Sequence, residues 1–535
     1  MTTQNTFSRR DFLKLAGLGA GTLVLSACGV TLPNPPSATA VSTPGMTPAP
    51  ASPTLVVDLT AARTTVPILS GAETPVWRYQ ASVREGAPES LQVLDDSYLG
   101  PIFRVKRGQR IQVKLKNELP DPTIIHWHGL RIPEAMDGHP RYAIAPGQTF
   151  DYDFTVRNRA GTYWFHPHPH QLTGGQAYFG LAGLFIVSDD EEAALGLPAG
   201  EYDLPLVLQD RLFDSENRLV YMTNMMDSMT GFVGDTILVN GKPNFSLDVK
   251  ASAYRLRLLN GSNSRIYKLA WENGSPLTVI ATDGGLLEAP VTREYLMLAP
   301  GERAELWVDF SQLKKTKLVS LPFDYGSSMD GGMMGGGMMG GGSGLPNGAA
   351  FDIALFRVGA AGAAISPLPQ RLSTISRYRL EDAVNGKNPR SFSLAMQGMI
   401  HTINGKVFEM DAVDSNEVVR LGDLEVWEFI NLEGGGGGMS MGGGMMNMEM
   451  PHPMHMHGVQ FQVLERQVND AFQAQYEQVS AGFVDEGWKD TVLVMPGERV
   501  KVLVRFEDFA GTYLYHCHNL EHEDAGMMRN YRVEA

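Results

Sequence analysis

The sequence predicts an all-β protein built from three consecutive antiparallel β-sandwich units. A Pro-Gly turn leading into a strand of alternating residues occurs three times: Ala145-Pro146-Gly147-Gln148 before Phe150–Phe154, Ala299-Pro300-Gly301-Glu302 before Ala304–Phe310, and Met495-Pro496-Gly497-Glu498 before Val500–Phe506. Each is preceded by further period-two segments, at Ile111–Leu115, Tyr254–Leu259 and Glu425–Phe429, and Asn-Gly turns punctuate the chain at Asn240-Gly241 and Asn404-Gly405. The 535 residues hold three units of roughly 150 residues, and few segments carry the pattern of a long amphipathic helix. Short strands separated by turn signals assign each unit to a two-sheet sandwich.

Residues 1–28 read as an address. Ser8-Arg9-Arg10-Asp11-Phe12-Leu13-Lys14 has the twin-arginine export pattern, and the apolar run from Leu15 to Ala27 is shorter than the ~20 residues of a membrane span. It ends in Leu25-Ser26-Ala27-Cys28, which resembles a bacterial lipoprotein box. The expectation is twin-arginine export, a lipid on Cys28 that holds the protein to a membrane, and a periplasmic or cell-surface location. The alternative is a plain signal peptide. Residues 29–53, rich in Pro, Ser, Thr and Ala, read as a tether. The body then divides into units at 54–190, 191–365 and 366–535.

The formal charge of -15 makes nucleic acid a poor partner. The two cysteines, Cys28 and Cys517, have separate uses in this reading, so no disulfide is expected. A monomer is the expected state.

A second repeat joins only the outer units. Gly161-Thr162-Tyr163-Trp164-Phe165-His166-Pro167-His168 matches Gly511-Thr512-Tyr513-Leu514-Tyr515-His516-Cys517-His518, and His126-Trp127-His128-Gly129 matches His455-Met456-His457-Gly458. The middle unit has no histidine. Four His-X-His pairs in duplicated positions place eight imidazoles where units one and three dock, with unit two as a spacer. Where the first unit has Pro167, the third has Cys517. Cysteine, two histidines and a weak methionine describe a blue-copper site. The last segment supplies Cys517, His522 and Met527, and the missing histidine is His452, which lies three residues before the third unit's His455-Met456-His457 pair and is not one of the eight. His516 and His518 flank Cys517, so strand alternation turns them to the opposite face, a few covalent bonds from the thiolate.

These four histidine motifs, in this order, resemble those of the multicopper oxidases. The resemblance spans about residue 54 to the end, with Gly234-Asp235-Thr236, Leu256–Gly261 and Asp283–Leu287 similar to the bacterial periplasmic cuprous oxidases and laccase-like enzymes. It implies three cupredoxin domains and four coppers per chain. His452, Cys517, His522 and Met527 would hold the type 1 copper. His126 and His455 would hold type 2, and His128, His166, His168, His457, His516 and His518 the two type 3 coppers. It further implies proton-delivery roles for Asp137 and Glu523, with imidazole-orienting carboxylates as the alternative. His139, His170 and His401 are read as non-ligands.

Two Met/Gly-rich runs, 329–342 and 434–450, place methionines where no core can form, and a milder cluster comprises Met222, Met225, Met226 and Met229. Thioethers favour Cu(I). Glu449, Met448, Met450, Met445, Met446, Met333 and Met334 are therefore candidate ligands for Cu(I) as a substrate, and the methionines are expected to be exposed or in a mobile flap. The resemblance is incomplete here: the methionine-rich insert of the cuprous oxidases is missing between Met399 and Ile403. With dioxygen as acceptor, the favoured donor is Cu(I); phenols and aromatic amines, the laccase-like donors, are the alternative. A non-enzymatic copper-sequestering surface protein is the reading from another class, and the ten retained histidine ligands speak against it.

Overall fold

In the computed structural model, which describes residues 54–94, 96–324, 345–397, 400–431 and 450–535, six sheets form three consecutive sandwiches. The expected export segment with Cys28, the tether, and Met333, Met334, Met445, Met446, Met448 and Glu449 lie outside the described residues. The first sandwich pairs a sheet ordered Thr74–Glu85, Leu55–Val66, Arg110–Asn117, Thr149–Thr155 with one that contains Gly161–Pro167 beside Ile125–His126. The third pairs a sheet centred on Leu424–Asn431 with one ordered Val418–Arg420, Met528–Glu534, Gly511–Cys517, His452–Met456, Thr491–Val494.

Period-two alternation explains the burial. Along Arg110–Asn117, Ile111, Val113 and Leu115 face the core while Lys114 and Lys116 face solvent. The three Pro-Gly turns place Gly147, Gly301 and Gly497 at φ of 83°, 83° and 73°, and both Asn-Gly pairs have positive φ at each residue, the type I′ signature. The longest described helices have six residues.

The sheets differ from the antiparallel expectation in one respect. Each contains one parallel pair, such as Leu55–Val66 with Arg110–Asn117, or Val418–Arg420 with Met528–Glu534. The opening strand of a sheet lies beside a strand reached only after the chain has crossed to the opposite sheet. A hairpin cannot make that connection, so the pair runs parallel.

The core of the third sandwich includes Cys517, Met527, Met454 and Met456 alongside Phe392, Trp427 and Phe461. Gly161–Pro167 is buried along its whole length: Tyr163 and Phe165 pack the first core, while Thr162 and Trp164 on the other face pack on the second sandwich, through Glu305, Val207 and Leu259, and His166 meets His518 of the third.

Candidate metal centres

The repeated motifs pair in equivalent registers in the two domains. His126 pairs across its sheet with His166, and His455 pairs with His516. The glycine after each pair has a steric reason. Gly129 has φ +84°, where a Cβ would sit 2.5 Å from Asp490 Oδ2, and Gly458 has φ +69°, with Tyr513 at 2.7 Å. All eight imidazoles are fully buried at the junction of the first and third sandwiches.

Hydrogen bonds fix which nitrogen of each ring is bare. His126 Nδ1–H donates to the Asp137 carbonyl at 2.7 Å, and His455 Nδ1–H donates to the Asp490 carbonyl at 2.8 Å. The lone pairs at Nε2 of these two rings therefore face each other at 3.2 Å. His457 donates from Nδ1 to Asp137 Oδ2 at 2.7 Å and His516 from Nδ1 to the Cys517 carbonyl at 3.0 Å, so their Nε2 atoms also meet as two acceptors, 3.0 Å apart. Acceptors held head to head in a buried cluster suit a cation shared between them. Burial and the neighbouring imidazoles lower the pKa values of His126, His455 and His457 well below the usual range, which keeps their lone pairs free. Three groups bring ring nitrogens within 4.8 Å of one another: His126–His128–His166, His126–His455–His457 and His168–His457–His516. His518 joins none of them. Its ring lies 5.0 Å from that of His128, and both its nitrogens are buried without a hydrogen-bond partner among the described residues.

The two expected acids touch this cluster. Asp137 meets His457 through its carboxylate and His126 through its carbonyl, and burial, with Glu134 nearby, raises its carboxyl well above the usual range. The next residue, Gly138, has φ +91° and packs so closely that a Cβ would be 2.2 Å from the Ile125 carbonyl. Glu523 lies 3.1 Å from His516 Nδ1 and 3.4 Å from His168 Nε2. Burial opposes its charge, but His516 and His168 outweigh that and hold its carboxyl below the usual range.

The thiolate group lies in the third core. Cys517 Sγ is 3.5 Å from His452 Nδ1 and 3.7 Å from His522 Nδ1, and the Asn519 N–H points at it from 3.4 Å. His522 Nε2–H donates to the Met229 carbonyl at 3.2 Å, which turns the Nδ1 lone pair toward the sulfur. Met527 is fully buried and tied to the group through its backbone: its carbonyl accepts from Cys517 N–H and its N–H donates to the His522 carbonyl. Burial pushes the unliganded thiol's pKa up and brings that of His452 down to about 3. Sulfur plus two imidazoles is a donor set that suits copper and excludes hard cations.

The middle sandwich is more than a spacer. At Gly301 a Cβ would come within 2.9 Å of His518 and 3.1 Å of His128, so its Pro-Gly turn closes one wall of the cluster. The fully buried Arg303 donates to both oxygens of Asp490, at 2.7 and 2.5 Å, and Asp490 Oδ1 in turn accepts from His128 Nε2 at 3.0 Å. Arg303→Met strips Asp490 of its guanidinium inside the protein. The expected loss is roughly 3–5 kcal/mol of stability, read from urea unfolding, with weaker metal retention at His128.

Sequence reasoning passed over Asp490, Arg303 and the Met229 carbonyl, because nothing in their local pattern marks them. His401, read as a non-ligand, belongs to no metal group but stacks on His522, with ring centroids 3.8 Å apart. His139 donates to Asn530 at 2.8 Å, and the half-buried ring of His170 packs on Phe408. Met450 departs from the expected exposed position: it is 4 % exposed, and its carbonyl accepts from Asn431, which ties it to the sheet.

Three family models, each described as multicopper oxidase, match the chain over residues 76–192, 205–318 and 382–535, one per sandwich. A multicopper oxidase of Staphylococcus epidermidis is 32% identical over 442 residues, 81% of this chain and 82% of that protein. A laccase of Bacillus stratosphericus is 31% identical over 497 residues, covering 83% and 91%. Among solved structures, the McoA multicopper oxidase of Aquifex aeolicus superposes with a TM-score of 0.73 at 36% identity, covering 91% of this chain and 97% of that one. The three sandwiches are cupredoxin-like domains, and the chain belongs to the multicopper oxidase family of oxidoreductases.

Proposed function

We propose that this enzyme couples four one-electron oxidations at a type 1 copper site to the reduction of dioxygen to two waters at a three-copper cluster, with Cu(I) as its preferred donor. Four Cu(I) and four protons balance one O2, giving four Cu(II) and two H2O. His452, Cys517, His522 and Met527 would hold type 1 copper. His126 and His455 would hold type 2, and His128, His166, His168, His457, His516 and His518 the type 3 pair. When bound, copper supplies reversible one-electron chemistry at the first site and the binding of dioxygen at the second.

The protein's own groups do the rest. The backbone from Cys517 to His516 and His518 is the covalent bridge between the centres. Asp137 orients His126 and His457, and Glu523, against His516 and His168, is placed to pass protons inward. The export pattern in residues 1–28 supports an extracytoplasmic location with a lipid on Cys28.

One observation carries the choice of donor. His522 and His452 are 0% and 2% exposed, so neither offers a ring edge to a bulky phenol. The Met229 carbonyl covers His522 from the end of the helix Met225–Thr230, and on and beside this helix Met222, Met225 and Met226 are 40%, 66% and 40% exposed. Met222 also has φ +57°, rare for a long side chain and held here by the turn into the helix. Soft thioethers on the surface above a buried soft-metal site suit a cuprous ion better than an aromatic ring.

The test replaces Met222, Met225 and Met226 by leucine, which keeps volume and removes sulfur. Binding of silver(I), a redox-silent stand-in for Cu(I), is expected to weaken roughly tenfold or more, the scale of losing a metal contact. Oxygen uptake with Cu(I) should fall in step while uptake with a phenol holds. Unchanged silver binding together with an unchanged donor ratio would overturn the Cu(I) reading in favour of a laccase-like one.

A further inference from the structure

His401 lies on the strand Ile400–Ile403 of the third domain, fully buried. Its ring is stacked on that of His522, with centroids 3.8 Å apart and planes at 22°. Its Nε2–H donates to the Met229 carbonyl at 3.1 Å, and His522 Nε2–H donates to the same oxygen at 3.2 Å. A carbonyl has two lone pairs, so one oxygen of the second domain holds two parallel rings of the third.

Plain packing does not account for an imidazole here. With Nε2 committed to donating, Nδ1 is a bare acceptor, and it is buried without a partner among the described residues. A buried acceptor left unmet costs about 1–3 kcal/mol, which a carbon ring of similar shape would avoid. What only the imidazole provides is a flat stacking face together with a donor for the shared carbonyl.

We infer that His401 is a positioning residue of the type 1 centre: through its stack on His522 and their shared Met229 carbonyl, it fixes the plane of that ligand, keeps water from it and raises the site's reduction potential. This rests on the assignment of Cys517, His452 and His522 as copper ligands. Two effects act in the same direction. A second donor on the carbonyl draws that oxygen away from His522, so the ring gives less electron density to a metal at Nδ1. The stacked ring also keeps the surroundings of low polarity, which disfavours the more highly charged Cu(II). The donor's electron then passes into His522 by way of the Met229 carbonyl and the ring stack, since no ring edge reaches the surface.

Three variants separate the contributions: His401→Phe keeps the stack and loses the donor, His401→Gln keeps a donor and loses the stack, and His401→Ala loses both. Copper content and thermal unfolding show which variants load and fold. The readouts are the reduction potential, titrated on the thiolate-to-copper visible band, the copper hyperfine splitting by EPR, and kcat set against KM. The expected result is a potential lowered in all three, least in His401→Phe and most in His401→Ala. The hyperfine splitting should change, and kcat fall roughly tenfold with KM for the donor nearly constant in His401→Ala. Should His401→Ala fail to load, the ordering of the other two decides. Potentials and EPR spectra equal to wild type in every loaded variant would overturn the inference. A wild-type protein that shows no thiolate-to-copper band would instead overturn the ligand assignment beneath it.

Discussion

Cys517→Ser is expected to abolish the thiolate-to-copper visible band, lower bound copper by one ion per chain, and reduce oxygen uptake to background with every donor. The reasons are local. The sulfur sits 3.5 and 3.7 Å from the two bare Nδ1 atoms of His452 and His522, fully buried, and among the described residues no carboxylate joins this ligand group. A serine hydroxyl there stays protonated and is a hard, weak ligand, so two imidazoles and a distant thioether are left to hold the metal. The eight-histidine cluster keeps its own contacts, since His516 and His518 point away from the substituted side chain. The variant therefore separates the two centres: metal analysis should show the cluster filled while electrons no longer reach it. The fold loses only about 1–3 kcal/mol for a buried hydroxyl without its partners. Uptake near the wild-type rate would show that electrons reach the cluster by a route that avoids Cys517.

Much of this arrangement was legible in the sequence because ligand chemistry is local and repeated. The His-X-His pairs, the Pro167-for-Cys517 exchange and the period-two strands each carry their meaning within ten residues, and duplication says which segments must meet. The parallel pair in every sheet was not legible, because alternation reports the two faces of a strand and is silent about its neighbours' directions. The part played by the middle domain was hidden for a related reason. Gly301, Arg303 and the Met229 carbonyl act on the centres by close approach and backbone hydrogen bonding, and a carbonyl oxygen has no sequence signature. His401 was visible as a histidine, but only the hairpin that carries it back beside His522 gives it a partner. Met450 was misjudged because its glycine-rich neighbours suggested an exposed loop, whereas it lies buried two residues ahead of the strand His452–Met456 with its carbonyl held by the Asn431 side chain.

The same burial that prepares these rings for metal makes the metal-free protein sensitive to acid. Burial pulls His139, His166 and His401 down to about 4, and His168 and His452 to about 3, from an ordinary value of 6.5. Because the folded values lie below the unfolded one, the unfolded chain binds protons that the folded chain refuses as the pH falls through 6.5, so stability declines with falling pH. Each ring contributes about 1.4 kcal/mol per pH unit once the pH is well inside that window, and these five together about 7 kcal/mol per unit. That rivals the ~5–15 kcal/mol by which a typical folded domain is stable, so the apo-protein should unfold within roughly one to two pH units below 6.5. Glu523, held low by its imidazole neighbours, adds a loss only below its ordinary 4.5. Copper changes the balance at the rings it occupies. A ligand that binds the folded chain raises its stability by mass action, and protons must then displace the metal before they can take the lone pairs. Tryptophan fluorescence followed from pH 7 downward, on apo and copper-loaded protein side by side, should give an acid midpoint clearly higher for the apo-protein. Coincident midpoints would mean that the bare nitrogens facing one another at 3.0 and 3.2 Å are not where the metal binds.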